Sequence, residues 1–233
     1  MDKTLIIIDF DNTLVDVDVD WEIVKRFLPE VAESLPDTFY QENDWLEFMQ
    51  DNYIQIKQKG YSINDINKFV SSFPLTDDFK ILCNYLGENK NKFYNIILSG
   101  STDYNINAIL NSNGIEKCFD EIICNKSILD KDTILKLIPV GYGHNCKDCN
   151  KNQCKTFIYN QCLKGKFKKI IFICDGSNDL CLAKRLNNND VLYTRIDHKL
   201  YNFLIKNRNQ NILNCSICPW NNGNDIFNLI KYQ

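Results

Sequence analysis

No apolar run in this chain approaches the roughly 20 residues that a bilayer-crossing helix needs, and the longest early one, Leu5 to Ile8, stops at Asp9. A membrane span is therefore not expected. The opening Met1-Asp2-Lys3-Thr4 lacks the basic n-region and the apolar h-region of about 7–15 residues that mark a secretory leader, so a cytoplasmic address is the default expectation. Charge of one sign is missing too. With 27 Lys and Arg against 30 Asp and Glu, the net charge of −3 gives no field to gather nucleic acid or anionic lipid. A secreted disulfide framework is also unexpected. The 11 cysteines are odd in number and lie in a chain long enough to build its own core, so most are expected to be reduced and many buried. What is present, 233 residues with 44% hydrophobic and 24% charged, belongs to the globular class. One domain with a large insertion fits as well as two domains. No feature of the sequence speaks to oligomeric state.

The apolar pattern alternates in kind. Leu5 to Ile8, Phe93 to Leu98, Phe119 to Cys124 and Ile170 to Cys174 are short runs rich in β-branched or aromatic residues, as strands covered on both faces require. Helical spacing lies between them, as in Asp103 to Leu110 ahead of Gly114 and again in Leu180 to Leu186. Strand and helix in alternation predict an α/β fold with a Rossmann-like parallel sheet and right-handed crossovers. One interval breaks the rhythm. Before Phe93 come helix signals at Trp21–Leu28, Trp45–Lys59, the capping box Ser62-Ile63-Asn64-Asp65, and Thr76-Asp77-Asp78 opening a segment to Gly87 with acids set for the helix dipole. The expected division is an α/β core of residues 1–14 and 92–233 with an inserted helical cap of residues 15–91. Asn187-Asn188-Asn189 reads as a loop, and no internal repeat is found.

The first strand ends in Asp9-Phe10-Asp11-Asn12-Thr13-Leu14, a later one in Ser99-Gly100-Ser101-Thr102, and another in Asp175-Gly176-Ser177-Asn178-Asp179. Binding sites of open α/β sheets lie outside the carboxyl ends of the strands, so these groups are expected to converge. Four carboxylates brought within a few ångströms repel unless a cation compensates them. Hard oxygen donors without histidine favour Mg²⁺, completed by a substrate phosphate. An aspartate can then be phosphorylated, a second acid can protonate the departing oxygen, and a lysine is wanted for the phosphate oxygens. Lys155 is the preferred candidate.

The series Asp9-x-Asp11-x-Thr13, Ser99, Lys155 and Asp175-Gly176-x-x-Asp179 resembles the four motifs of the haloacid dehalogenase phosphatase superfamily, in the right order over most of the chain. That resemblance implies Asp9 as nucleophile and Asp11 as general acid/base. It also implies Mg²⁺ held by the Asp9 carboxylate, the Asp11 carbonyl and Asp175, phosphate held by Ser99 and Lys155, and Asp179 orienting the motif or reaching the metal through water. The stretch from His144 through Cys146, Cys149 and Cys154 to Lys155 is similar to the cysteine-rich segment of the phosphoethanolamine/phosphocholine phosphatases and their pyridoxal-phosphate phosphatase relatives. The chain departs from that pattern. Asn150 and Gln153 stand where those proteins usually have proline and a long apolar residue, and Gly100 stands where they have a substrate-binding acid. Asp103 is close by but is expected to turn into a helix, whereas Asp20 falls where the family has its other substrate-side aspartate.

Blander readings compete with several of these residues. A strand-end serine such as Ser99 often only caps the next helix. The run Asp16, Asp18, Asp20 is usually a solvated face, although one acid there can meet a substrate ammonium group. Trp21, Phe39, Tyr40, Trp45 and Tyr53 can wall a ring or a quaternary ammonium, but most are expected in the cap core. Cys146, Cys149 and Cys154 with His144 permit a zinc site. Cys215-Ser216-Ile217-Cys218 lies too far along for a compact ribbon, and a buried or redox-sensitive thiol cluster is preferred. The expected activity is Mg²⁺-dependent hydrolysis of a small phosphorylated metabolite (phosphoethanolamine, phosphocholine or pyridoxal 5′-phosphate) through an aspartyl-phosphate. Phosphoserine, or a zinc-dependent interaction protein, is the alternative.

Overall fold

The structure is a computed structural model that describes residues 2–35, 44–130, 133–147, 149 and 153–232. Its strands are β1 (Thr4–Ile8), β2 (Phe93–Thr102), β3 (Glu121–Asp130), β4 (Thr133–Ile138), β5 (Ile170–Cys174), β6 (Val191–Arg195) and β7 (Ser216–Trp220). They form one sheet in the order β4-β3-β2-β1-β5-β6-β7, parallel except for the β3–β4 pair. The helices are α1 (Val19–Phe27), α2 (Pro29–Ser34), α3 (Trp45–Gln58), α4 (Ile63–Val70), α5 (Phe79–Glu88), α6 (Asp103–Asn113), α7 (Lys155–Cys162), α8 (Leu180–Ala183), α9 (Lys199–Lys206) and α10 (Gly223–Ile230). This is the expected Rossmann-like α/β fold. Among the described residues, no helix is long and apolar enough to cross a membrane.

β1 is central because its residues are apolar on both sides. Leu5 and Ile7 enter one core with Ile158, Leu182 and Leu200, while Ile6 and Ile8 enter the other with Phe79, Leu82 and Ile226. All four are fully buried, and at roughly 1.5–3 kcal/mol per large apolar side chain their burial fixes the strand in the middle of the sheet. Strands added after β1 extend the sheet on its β2 side, and those from β5 onward extend it on the other. The order of the strands therefore reverses between β1 and β5, which is where such sheets bind ligands.

Three strands have no counterpart in the sequence reading. β7 contains Pro219 and lies at the sheet edge, where a missing N–H is tolerated. β4 is the other edge and runs antiparallel, and β6 is brief, with half-buried ends. The helix expected over Leu180 to Leu186 is only the single turn of α8. Gly114 does close α6 in the left-handed region, at φ 66°, and Ser62 with Asp65 forms the capping box of α4. Asp78 stands at the N-cap of α5, where its charge meets the helix dipole, but its side chain makes no capping hydrogen bond and the first turn holds no acid. The carbonyl of Asp77 accepts from Gly223 N at 2.8 Å, which docks α10 on α5, with the Tyr85 and Phe227 rings 5.2 Å apart.

The chain leaves the sheet at Val15 and returns at Leu75. These two residues form an antiparallel bridge, and Thr76 N donates to Leu14 O at 3.0 Å. Helices α1 to α4 lie between the two strands of that neck, whereas α5 packs beside α10 and β2.

Candidate active site

The parallel ladder continues one residue past β1, as Asp9 N donates to Ile173 O at 2.9 Å. The chain then turns tightly. Asp9 Oδ1 accepts from Phe10 N at 2.8 Å, and Asn12 takes the left-handed conformation at φ 53°. Asn is one of the few non-glycine residues that do so at low cost. The turn aims Thr13 across the sheet, where its hydroxyl donates to Asp175 Oδ1 at 3.2 Å just beyond β5.

Lys155 closes the arrangement from below. It is the first residue of α7, is 1% exposed, and its Nζ lies 2.8 Å from Asp9 Oδ1 and 2.5 Å from Asp179 Oδ1. Asp179 is fully buried and accepts from Gly176 N at 2.9 Å, so it braces both the lysine and its own loop. One oxygen from each of Asp9, Asp175 and Asp179 lies within 4.8 Å of the others. Burial raises the Asp9 carboxyl, Lys155 pulls it back, and the charge of Asp175 adds to the rise. Burial, followed by the charge of Asp9, pushes Asp179 well above the usual carboxylate range. For Lys155 burial works against the charge, but Asp179 and Asp9 outweigh it and hold the ammonium above the usual lysine range. Three buried carboxylates with one ammonium leave an excess of negative charge, and the donors are all hard oxygens. That set fits Mg²⁺.

Three of the expected four carboxylates converge here. Asp11 differs because its side chain turns to the start of α1, where Oδ1 accepts from Val19 N at 2.9 Å. Burial first, then the charges of Asp18 and Asp20, hold its carboxyl well above the ordinary value. The acidic run is a solvated face only at the exposed Asp16. Asp16 pairs with Arg195, Asp18 caps α1 through Trp21 N at 3.0 Å, and Asp20 is buried. Asn105 Nδ2 donates to Asp20 Oδ1 at 2.9 Å and to the Tyr53 hydroxyl at 3.2 Å, while Trp45 Nε1 reaches Asp20 Oδ2 at 3.4 Å. Burial and the charge of Asp18 push Asp20 up to about 7. Trp21 and Trp45 lie 6.4 Å apart, and Phe39 and Tyr40 fall outside the described residues.

Ser99 is 1% exposed within β2 and does not cap the following helix. Thr102 does that, accepting from Asn105 N at 3.3 Å, while Ser99 Oγ accepts from Ser101 N at 3.0 Å. Gln153 Nε2 donates to Ser99 O. A Cβ on Gly100 would lie 2.7 Å from Gln153 Oε1, so the glycine and the glutamine fit each other and a side chain at position 100 would displace the amide. Gly100 and Gln153, two departures from the family pattern, thus lie against each other, and Asn150 lies outside the described residues. Asp103 faces away, with Oδ1 accepting from Ser127 N at 2.9 Å.

The sequence reading left histidine out of the cluster, yet His198 Nδ1 lies 3.1 Å from Asp175 Oδ2. It enters as the residue before α9, after β6. With β6 unread, nothing placed His198 at the same sheet edge as the aspartates. Gln153 and Asn105 were missed for a related reason, since their roles depend on which neighbours they meet and no spacing encodes that.

Residues 4–232 match a family described as Putative Phosphatase. Pyridoxal phosphate phosphatase PHOSPHO2 of Mus musculus is 31% identical over 242 residues, covering 99% of this chain and 98% of that protein. A phosphoethanolamine/phosphocholine phosphatase of Gallus gallus is 25% identical, covering 96% and 86%. Among solved structures, a phospho-aspartyl intermediate analogue of phosphoserine phosphatase superposes with a TM-score of 0.63 at 16% identity, covering 100% of this chain and 99% of that one. This last likeness is one of fold.

Proposed function

The chain belongs to the Putative Phosphatase family of the haloacid dehalogenase superfamily, and on that premise we propose that it hydrolyses a small phosphomonoester through an aspartyl-phosphate on Asp9. The observation that carries the reading is the buried convergence of Asp9, Asp175 and Asp179 around Lys155, at the point where strand order reverses.

Asp9 is the nucleophile. Phe10 N–H and the Lys155 ammonium both bind its Oδ1, which fixes the carboxylate without a further conformational change. Its oxygen bonds to phosphorus as the ester P–O bond breaks. Asp11 delivers its proton to the departing oxygen, a role that suits a carboxyl held protonated by burial and by Asp18 and Asp20. Asp11 then takes a proton from the water that attacks the acyl-phosphate, releasing inorganic phosphate and restoring the Asp9 carboxylate. Lys155 and Ser99 hold phosphate oxygens, with Gly100 and Gln153 shaping the wall beside them. Asp179 keeps Lys155 in place. Mg²⁺, held by the Asp9 and Asp175 carboxylates and the Asp11 carbonyl, would offset phosphate charge.

The helices from α1 to α4 serve as the cap that excludes bulk water and selects the alcohol. We draw this cap between the neck residues Val15 and Leu75, narrower than residues 15–91, because α5 packs with the sheet. Asp20 is its substrate-side acid, close enough for its charge to raise Asp11. Pyridoxal 5′-phosphate is the first choice of substrate. The relative from Mus musculus carries that activity in its name. We take the enzyme to act in the cytosol. The test is release of phosphate from pyridoxal 5′-phosphate, phosphoethanolamine, phosphocholine and phosphoserine, with Mg²⁺ and with excess EDTA. Turnover is expected with Mg²⁺ only, highest for pyridoxal 5′-phosphate. Equal rates in EDTA would remove the metal, and a preference for phosphoserine would remove the substrate.

A further inference from the structure

Four thiols converge outside the acidic pocket. The Sγ atoms of Cys146, Cys149, Cys154 and Cys181 all lie within 4.8 Å of one another, and those of Cys154 and Cys181 are 3.9 Å apart. A disulfide would need about 2.05 Å. Zinc–sulfur bonds of about 2.3 Å in a tetrahedron put neighbouring sulfurs about 3.8 Å apart, close to the separation found. Three separate parts of the chain supply the four. Cys146 and Cys149 form a CxxC in the segment before α7, Cys154 is the residue that caps α7, and Cys181 lies in α8. Only the first three were in reach of spacing, because Cys181 arrives through the fold. His144 is not a fourth ligand, since its Nδ1 accepts from Cys146 N at 3.1 Å and its ring lies by Phe157.

The surroundings fit a bound metal. Cys154 and Cys181 are buried, Cys146 and Cys149 half-buried, and Phe157 N–H already donates to Cys154 Sγ at 3.4 Å, as an outer partner of a thiolate ligand does. The segment 139–154 is longer than the ~12–15 residues usual for a loop without regular structure, and none of its described residues is in a helix or strand. Such a segment gains most from a cross-link. Cys154 also directly precedes Lys155, and Cys181 follows Asp179 by two positions. A link between these cysteines would therefore tie together the two elements that carry the Lys155–Asp179 ion pair.

We propose that Cys146, Cys149, Cys154 and Cys181 form a structural zinc site that staples the segment before α7 to α8. On binding, four thiols give up their protons and one Zn²⁺ takes four thiolates, with no change of oxidation state. The site is closed and touches no substrate, so it stands whether or not the phosphatase reading does.

The test is metal analysis and zinc X-ray absorption on the full chain expressed in zinc-supplemented medium and purified under reducing conditions. About one zinc per chain is expected, with four sulfurs at about 2.3 Å. Cys181→Ser and Cys149→Ser should each lose most of that zinc, whereas Cys162→Ser, at an exposed cysteine outside the cluster, should keep it. If the ligand variants do not fold, Co²⁺ exchanged into the native protein decides the matter, and the thiolate charge-transfer and tetrahedral d–d bands are expected. Protein that carries and takes up no zinc, a zinc with nitrogen or oxygen neighbours, or a disulfide mapped among these four residues would overturn the proposal. Phosphate release is not read in any arm, so loss of the zinc site and loss of the Asp9 reading are separate results.

Discussion

The sheet edge and the inserted helices handle buried charge in opposite ways. At the edge, Asp9 and Asp179 share the ammonium of Lys155, and Asp175 meets Thr13 and His198, so charge is met with charge and hydroxyl. On the helical side, Asp20 meets, among the described residues, the neutral donors Asn105 and Trp45, and burial pushes it up to about 7. The edge sets a buried cation against its carboxylates. The helical side holds an acid poised near neutrality. Chemistry common to every phosphomonoester needs the first arrangement, whereas choosing among alcohols needs only a few polar contacts that can differ from one protein to the next.

The largest effect is expected at the edge. Asp9→Asn should lower kcat by at least about 10⁴-fold, because it removes the atom that bonds to phosphorus, while the far-UV circular dichroism stays that of the parent protein. Asp11→Asn should cost about 10²–10⁴-fold for alkyl esters. The parent enzyme should also lose activity as pH rises through the elevated Asp11 pKa, since the donor form is the protonated one. A nitrophenyl ester, whose leaving group needs no proton, should be spared in the first step. Equal losses for both ester types in that first step, read as the burst of leaving group, would take the acid role from Asp11.

Between the two regions lies the Gly100–Gln153 contact. Gly100→Ala should push the Gln153 amide off its bond to Ser99 O and reduce kcat/KM by about tenfold, since small misplacements near a reacting centre are costly. Adding Gln153→Ala should restore part of the loss. If the second change only deepens it, the two side chains do not compete for one space.

The smallest effect on turnover is expected at Asp20. Its pKa is higher in the folded protein than in the unfolded chain, so folding favours the protonated form and stability falls as pH rises from about 4 through about 7. Asp20→Asn should remove that dependence, giving a Tm nearer the parent's at pH 5 and above it at pH 8.5. Relative rates across the ester panel should shift by only a few fold, and an unchanged panel would move substrate selection elsewhere in the cap.

The difference between the regions also explains what the amino-acid sequence disclosed. β1, β2 and β5 are continuous apolar runs ending in motif residues, so the edge was legible down to Lys155, whose partner Asp179 lies far along the chain. β4 and β7 are edge strands, β7 is interrupted by proline and β6 has half-buried ends, and none of the three carries a strong period. His198 was lost with β6. Asp20 could be named by position, but its ties to Asn105, Tyr53 and Trp45 join segments that only folding brings together. The fourth thiol, Cys181, was hidden for the same reason.

The central claim is that phosphorus passes through a bond to Asp9. Acid-quenching the enzyme during turnover of pyridoxal 5′-phosphate, reducing the acyl-phosphate with borohydride and mapping peptides by mass spectrometry tests it directly. Homoserine at position 9, absent from the Asp9→Asn variant, is the result expected. A reduced residue at Asp11 or Asp175, or phosphoryl transfer to His198, would contradict the account.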